Sequence, residues 1–188
     1  MTEQSPNQAK VLTVSDSVEA GNRPDVSGNA LVARLTEAGY EVIEHRVVSD
    51  DVEEITNALS YMAYGFNGLV VTTGGSGFGQ RDFTPEATKR VLDRAAPGMA
   101  EVMRQVSPRG RLSRAVAGTR GSSLILNLAA APDRAVEMLD AVLDAVPEAL
   151  GLTRSSRTSS TDPRNSPESG AGRFADGRIR FDRPGVGA

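Results

Sequence analysis

Cysteine is absent from the 188 residues, tryptophan is absent, and histidine occurs once, at His45. Without thiols there is no disulfide, no thiolate nucleophile and no cysteine-ligated zinc or iron–sulfur centre. A single imidazole excludes multi-histidine metal motifs such as HExxH. Aromatic residues make up 4%, too few for a base-stacking surface that would hold single-stranded nucleic acid. The net charge of −3 gives no strong field toward nucleic acid or a membrane surface. No apolar run approaches the roughly 20 residues that span a bilayer. The opening MTEQSPNQAK carries no apolar signal segment, so a cytoplasmic protein is expected. Any catalysis must run on carboxylates, hydroxyls, Arg, Lys and backbone amides.

What remains alternates between strand and helix patterns. Val11–Val14 is a β-branched run. Leu31, Val32, Leu35 and Ala38 recur at helical spacing before Gly39. Glu41–Val48 alternates as a second strand, and Asp50 and Asp51 open a helix with the stripe Val52, Ile55, Leu59, Met62. Leu69–Val71 is wholly apolar, as in a strand covered on both faces. Thr84-Pro85-Glu86 predicts a helix start with Thr84 as N-cap and Pro85 in the first turn. A further helix is expected over 97–106, and two strands around Thr119–Gly121. Val136, Leu139, Leu143, Val146 and Leu150 form the stripe of one long last helix. The expected fold is α/β: a three-layer α/β/α domain with a mostly parallel sheet.

Three regions follow from composition: a flexible N-terminus at 1–9, the α/β domain at 10–152, and a tail at 153–188. The tail holds seven Arg against four acids, with six Ser and five Gly. Its apolar content is too low for a core of its own, so a flexible arm is expected. Phe174–Phe181 has the pattern of a small hairpin through Asp176-Gly177.

The segment from Val70 to Glu86 carries the most chemistry. It reads strand, then Thr73-Gly74-Gly75-Ser76-Gly77 and Gly79, then helix. Clustered glycines let amides approach a phosphate, and ligands of open α/β sheets collect at the carboxyl ends of strands. The loop is not a P-loop, because Gln80 and Arg81 follow Gly79 where Lys-Ser/Thr is required. It is not a dinucleotide fingerprint either, since it follows the third strand. Asp82, just past the loop, suits either Mg²⁺ held against phosphates or a cap for the helix that starts at Thr84. Asp50 and Asp51 lie at the same sheet edge, and so do Ser15, Asp16 and Ser17, either as ligand groups or as turn formers. Arg114, after Ser113, has the chemistry of a phosphate clamp. His45 sits mid-strand, far from any carboxylate cluster in the sequence, and reads as structural.

Several runs together resemble the molybdopterin adenylyltransferase family, which includes Mog-type bacterial enzymes and the G domain of gephyrin. They are Val14–Ser17, Asp25–Gly28, Thr72–Gly77, Arg81–Thr88, Pro97-Gly98-Met99, Leu112–Gly118 and Leu124–Leu128. The resemblance spans residues 10 to about 150. It implies a homotrimer, with possible protein partners, that joins molybdopterin to ATP with Mg²⁺ and releases pyrophosphate. It places the family's two key aspartates at Asp50 and Asp82, with the metal on Asp82. It places the ligand-binding loop at Gly74–Gly77, a Ser-Arg motif at Ser113 and Arg114, and a further ligand-binding position at Asn127. The family usually shows Asn-Leu-Pro-Gly-x-Pro, where this chain has Asn127-Leu-Ala-Ala-Ala-Pro132. That loses a fixed φ and a residue free to take positive φ, so a differently built ligand loop is expected. The alternative reading is a non-catalytic relative that binds molybdopterin or a protein partner. A third, an adenine-nucleotide-binding regulator, rests on the Gly-rich loop alone.

Overall fold

A computed structural model describes residues 7–158, with side chains described through 153. The N-terminal residues 1–6, residues 159–188 and the hairpin expected at 174–181 lie outside the described residues. Regular structure passes the expected domain limits at both ends: β1 starts at Gln8 and α7 runs to Thr158.

The elements in chain order are β1 (Gln8–Val14), α1 (Asp16–Glu19), α2 (Val26–Glu37), β2 (Glu41–Val48), α3 (Val52–Ala63) and β3 (Leu69–Thr73). Then come α4 (Thr84–Val91), β4 (Arg94–Ala95), α5 (Pro97–Gln105), a 3-10 turn (Pro108–Leu112), β5 (Ala117–Arg120), β6 (Ser123–Leu128), α6 (Pro132–Leu143) and α7 (Val146–Thr158). The six strands form one sheet in the order β2-β1-β3-β6-β5-β4. The first four are mutually parallel, and β5 and β4 complete the sheet antiparallel.

Period-two alternation in the strands builds two cores. Val11, Leu69, Val71, Leu124 and Leu126 face one way, against Leu31 and Leu35 of α2, Met103 of α5, and Leu139 and Val142 of α6. Leu12, Val14, Val70 and Ile125 face the other way, against Ile55, Leu59 and Met62 of α3 and Ala87 and Val91 of α4. Each fully buried Leu or Ile contributes about 1.5–3 kcal/mol of transfer free energy, so these helix stripes hold both outer layers to the sheet.

Three local expectations change. The last helix is two: Pro147 has no N–H for the Leu143 carbonyl and its ring crowds that group, so α6 stops and α7 begins at Val146. Thr84 is not the cap of α4; Phe83 holds that position without a side-chain bond, and Thr84 turns inward instead. The short β4 and the 3-10 turn were not predicted, because two residues on an antiparallel edge and a Pro-Arg-Gly-Arg-Leu run carry no periodic signal.

Tyr40, at 6% exposure, has a hydroxyl without a hydrogen-bond partner among the described residues. Burial raises its pKa above the usual value. Tyr40→Phe removes an unsatisfied polar group while keeping the ring, and is expected to stabilise the fold by about 1 kcal/mol. Denaturant titration checks this; a loss of stability would mean the hydroxyl is satisfied in solution.

Candidate active site

The chain runs from β1 out to β2 and returns across β1 to β3, so the strand order reverses between β1 and β3. Crevices at such reversals are where open α/β sheets bind ligands. Four loops converge at the carboxyl ends there: Ser15–Ser17 after β1, Ser49–Asp51 after β2, the Gly-rich loop after β3, and Ala129–Ala131 after β6.

Gly74 and Gly75 both take positive φ, +98° and +58°, and turn the chain sharply off β3. A Cβ at Gly74 would overlap the Val14 carbonyl oxygen, so only glycine fits. The loop is fastened from both sides. The Thr84 hydroxyl donates to the Gly74 carbonyl at 2.9 Å, and the Thr84 N–H donates to the Gly75 carbonyl at 3.0 Å. Thr73 donates to the Ala129 carbonyl at 2.7 Å and Ser76 to the Leu128 carbonyl at 3.2 Å. The amides of Gly75, Ser76 and Gly77 find no acceptor among the described residues.

Asp82 and Asp50 flank this loop. Asp82 Oδ2 accepts the Gly79 N–H at 2.7 Å, and a Cβ at Gly77 would lie 2.9 Å from the same oxygen. A Cβ at Gly75 would lie 3.5 Å from Asp50 Oδ1. Asp50 is locked to the loop after β1 by a reciprocal pair: the Asp16 N–H donates to Asp50 and the Asp50 N–H to Asp16, each at 2.9 Å. Arg81 then grips the Asp16 carboxylate, with Nε 2.8 Å from Oδ2. That hydrogen bond, helped by the Asp50 N–H, holds the Asp16 carboxyl below its usual range and raises the Arg81 pKa. Ser15 caps α1 and accepts from Arg23, while Ser17 is exposed on α1.

A cavity of about 330 Å³ opens over the loop. Its floor is Gly75–Gly77 with Asp82. One wall comes from the 3-10 turn and Ser113, the other from Ala129, Ala130 and Arg134 of α6. Asp50 borders the loop but does not line this cavity. No non-glycine residue among those described takes positive φ, so the alanine loop closes without the conformation the usual glycine permits.

Several residues expected at the ligand face elsewhere. The Asn127 side chain is fully buried: its amide donates to the hydroxyls of Thr72 and Thr88, and its oxygen accepts from the Val116 N–H. The hydroxyls of Thr73 and Ser76 are spent on carbonyls, which leaves the Ser76 backbone for a ligand. The Arg114 guanidinium donates to the carbonyls of Gly77 and Asp82 and to the Glu86 carboxylate, and its own backbone N–H donates to Ser76. Arg114 is therefore a brace for the loop rather than a phosphate clamp, with the Phe78 ring 5.8 Å away. His45 has partners the sequence did not show: Nε2 lies 2.9 Å from Asp25 Oδ2, which also accepts from Thr13 at 2.6 Å. This cluster lies outside the cavity, and a Cβ on Gly28 would intrude on it. Arg109 and Arg134 were not anticipated. The one available signal was Arg134 in the first turn of a helix, where a cation is disfavoured.

Arg114→Ala is expected to destabilise the protein by about 2–4 kcal/mol, since it strands a loop carbonyl pair and Glu86. Arg114→Lys should recover little of this, because an ammonium cannot span three acceptors in a plane. Thermal melts with ligand titrations check it; a stable Arg114→Ala that loses only ligand affinity would restore the clamp.

Residues 10–148 match the family model described as a probable molybdopterin binding domain. The molybdopterin adenylyltransferase of Helicobacter pylori (strain J99) is 40% identical over 149 residues, covering 76% of this chain and 85% of that protein. Gephyrin of Dictyostelium discoideum is 36% identical over 164 residues, covering 80% of this chain and 23% of gephyrin. The crystal structure of the molybdopterin biosynthesis enzyme MoaB from Thermus thermophilus superposes with a TM-score of 0.75 at 42% identity, covering 79% of this chain and 97% of that one. In sequence and in fold, the chain belongs to the molybdopterin-binding domain family of molybdenum cofactor biosynthesis.

Proposed function

We propose that this protein is a molybdopterin adenylyltransferase. A phosphate oxygen of molybdopterin attacks the α-phosphorus of ATP. The new oxygen–phosphorus bond forms as the bond from the α-phosphorus to the bridging oxygen breaks, and pyrophosphate leaves. The products are adenylyl-molybdopterin and pyrophosphate. The nucleophile is ionised at neutral pH, so no Ser–His or Cys device is needed. What such a transfer demands is positioning and charge stabilisation.

The observation that carries this reading is the run of unsatisfied Gly75–Gly77 amides beside the Asp82 carboxylate in one cavity. The amides would bind phosphate oxygens, while Thr84 and Arg114 hold them in place. Asp82 has one carboxylate oxygen committed to Gly79, which leaves the other for a metal. No group of three or more His, Asp or Glu that could hold a metal occurs among the described residues. This fits Mg²⁺, which takes one or two carboxylates and completes its shell with phosphate oxygens and water. When bound it would neutralise charge on the phosphates. Asp50, held rigidly by Asp16, would orient the pterin or the metal from the other side of the loop.

Homotrimeric assembly and a cytoplasmic location belong to the same reading, supported by the family membership and by ATP as co-substrate. No helix among the described residues is long and apolar enough to cross a membrane. A second reading, a non-catalytic molybdopterin-binding relative, is favoured only by the alanine loop at 129–131.

The test mixes the purified protein with molybdopterin, Mg²⁺ and ATP and follows pyrophosphate. Release that requires molybdopterin supports the transferase. Molybdopterin bound with no release would overturn it in favour of the second reading.

A further inference from the structure

We propose that Arg109 and Arg134 form a two-cation clamp that binds a phosphate group in the cavity over the Gly-rich loop. The two arginines come from separate walls, Arg109 from the 3-10 turn and Arg134 from the first turn of α6. Neither guanidinium makes a hydrogen bond or ion pair among the described residues, whereas Arg81, Arg90, Arg114 and Arg120 each hold a carboxylate. Arg134 is half-buried and Arg109 is exposed at the rim, and Asp133, beside Arg134, is exposed.

The position of Arg134 suits an anionic ligand. The start of α6 carries the positive end of the helix dipole, which disfavours a cation and favours an anion there. An arginine stem is flexible enough to swing its head to water or to a carboxylate. Here it lines a cavity whose floor adds the unsatisfied amides of Gly75–Gly77. The only carboxylate in the lining, Asp82, has one oxygen on the Gly79 N–H and forms no ion pair with either arginine. Two cations and three donors against one anion leave the cavity net positive, and a doubly charged phosphate offsets that. Guanidinium groups match phosphate oxygens in a bidentate fork, which an ammonium cannot.

The identity of the phosphate rests on the adenylyl-transfer reading, which supplies two sources of one chemistry: the phosphates of ATP and the phosphate of molybdopterin. At about 330 Å³ the cavity is at the small end of ligand pockets, so it holds the phosphate-bearing end of one substrate rather than both substrates whole.

The experiment measures binding by calorimetry on the full chain, as wild type, R109A, R134A, R134K and the double alanine variant. The probes are inorganic pyrophosphate, ATP and molybdopterin. Each alanine is expected to weaken pyrophosphate binding by about tenfold or more, and R134K to recover part of it, since hydrogen bonds to charged groups are worth about 1.5–3 kcal/mol. Thermal midpoints should stay at the wild-type value, because neither side chain has an intramolecular partner to lose. Weakened ATP binding with unchanged molybdopterin binding assigns the clamp to the nucleotide, and the reverse pattern assigns it to the pterin. Wild-type affinity for all three probes in the double variant overturns the clamp, and so does no pyrophosphate binding by the wild type. The two proposals separate cleanly. Arginine-dependent pyrophosphate binding without transfer would leave the clamp standing and remove the transferase. Transfer with arginine-independent binding would do the opposite.

Discussion

Asp82→Asn should lower adenylyl transfer by at least about a hundredfold and leave the thermal midpoint nearly unchanged. The reason is that the carboxylate does two jobs, of which asparagine keeps only one. Oδ2 accepts the Gly79 N–H at 2.7 Å and closes the turn that carries the loop into α4. The asparagine amide oxygen can accept the same hydrogen, so the loop survives. The negative charge facing the cavity does not survive, and with it goes the only carboxylate in the lining able to hold Mg²⁺ against phosphate. The measurement is pyrophosphate release with a magnesium titration, alongside a thermal melt. The variant should show both a lower maximal rate and a higher magnesium requirement. Turnover within a few fold of wild type would remove Asp82 from the mechanism.

Asn127→Ala should destabilise the fold by about 3–5 kcal/mol, read as a lower denaturant midpoint at unchanged slope. Asn127 sits on β6 with no exposed surface and joins three elements through one amide group. Its nitrogen bonds Thr72 of β3 at 3.0 Å and Thr88 of α4 at 2.9 Å, and its oxygen accepts the Val116 N–H. Alanine leaves two buried hydroxyls and an amide short of partners, and each unsatisfied group costs about 1–3 kcal/mol. A small cavity adds to that. Asn127→Asp should be as damaging, because it removes both donors and buries a charge. Ligand affinity in the folded fraction should stay near wild type. A stable Asn127→Ala that fails to bind ATP would return this residue to the ligand.

The expectation for Asn127 shows where reading along the chain loses resolution. A polar residue ending an apolar strand at the ligand edge looks the same whether its side chain faces out or in. The parity of β6 decides it: Ile125 points to the α3–α4 side, and Asn127, two residues on, must do the same. Arg114 illustrates a related limit. Its charge suggests a phosphate, but the Gly77 and Asp82 carbonyls that claim it lie more than thirty residues earlier. The Thr84 hydroxyl was free to cap a helix until the fold placed the Gly74 carbonyl within 2.9 Å. Conversely, Arg109 belongs to no motif and enters the cavity only because the 3-10 turn folds over the loop.

The alternation of apolar strands with amphipathic helices was sufficient to determine the layered parallel sheet, since burying those stripes leaves few other arrangements. The glycines at 74 and 75 likewise had to mark a sharp turn at a strand end, because positive φ is theirs to take. The absence of Cys and the single His confined any chemistry to carboxylates, amides and cations. Tertiary structure alone decided which polar groups remain available to a ligand. Hydrogen-bond capacity is finite, and long-range partners consume it: Asn127, Thr73 and Arg114 are spent inside the protein. The amides of Gly75–Gly77, the carboxylate of Asp82 and the guanidinium groups of Arg109 and Arg134 are left at the cavity.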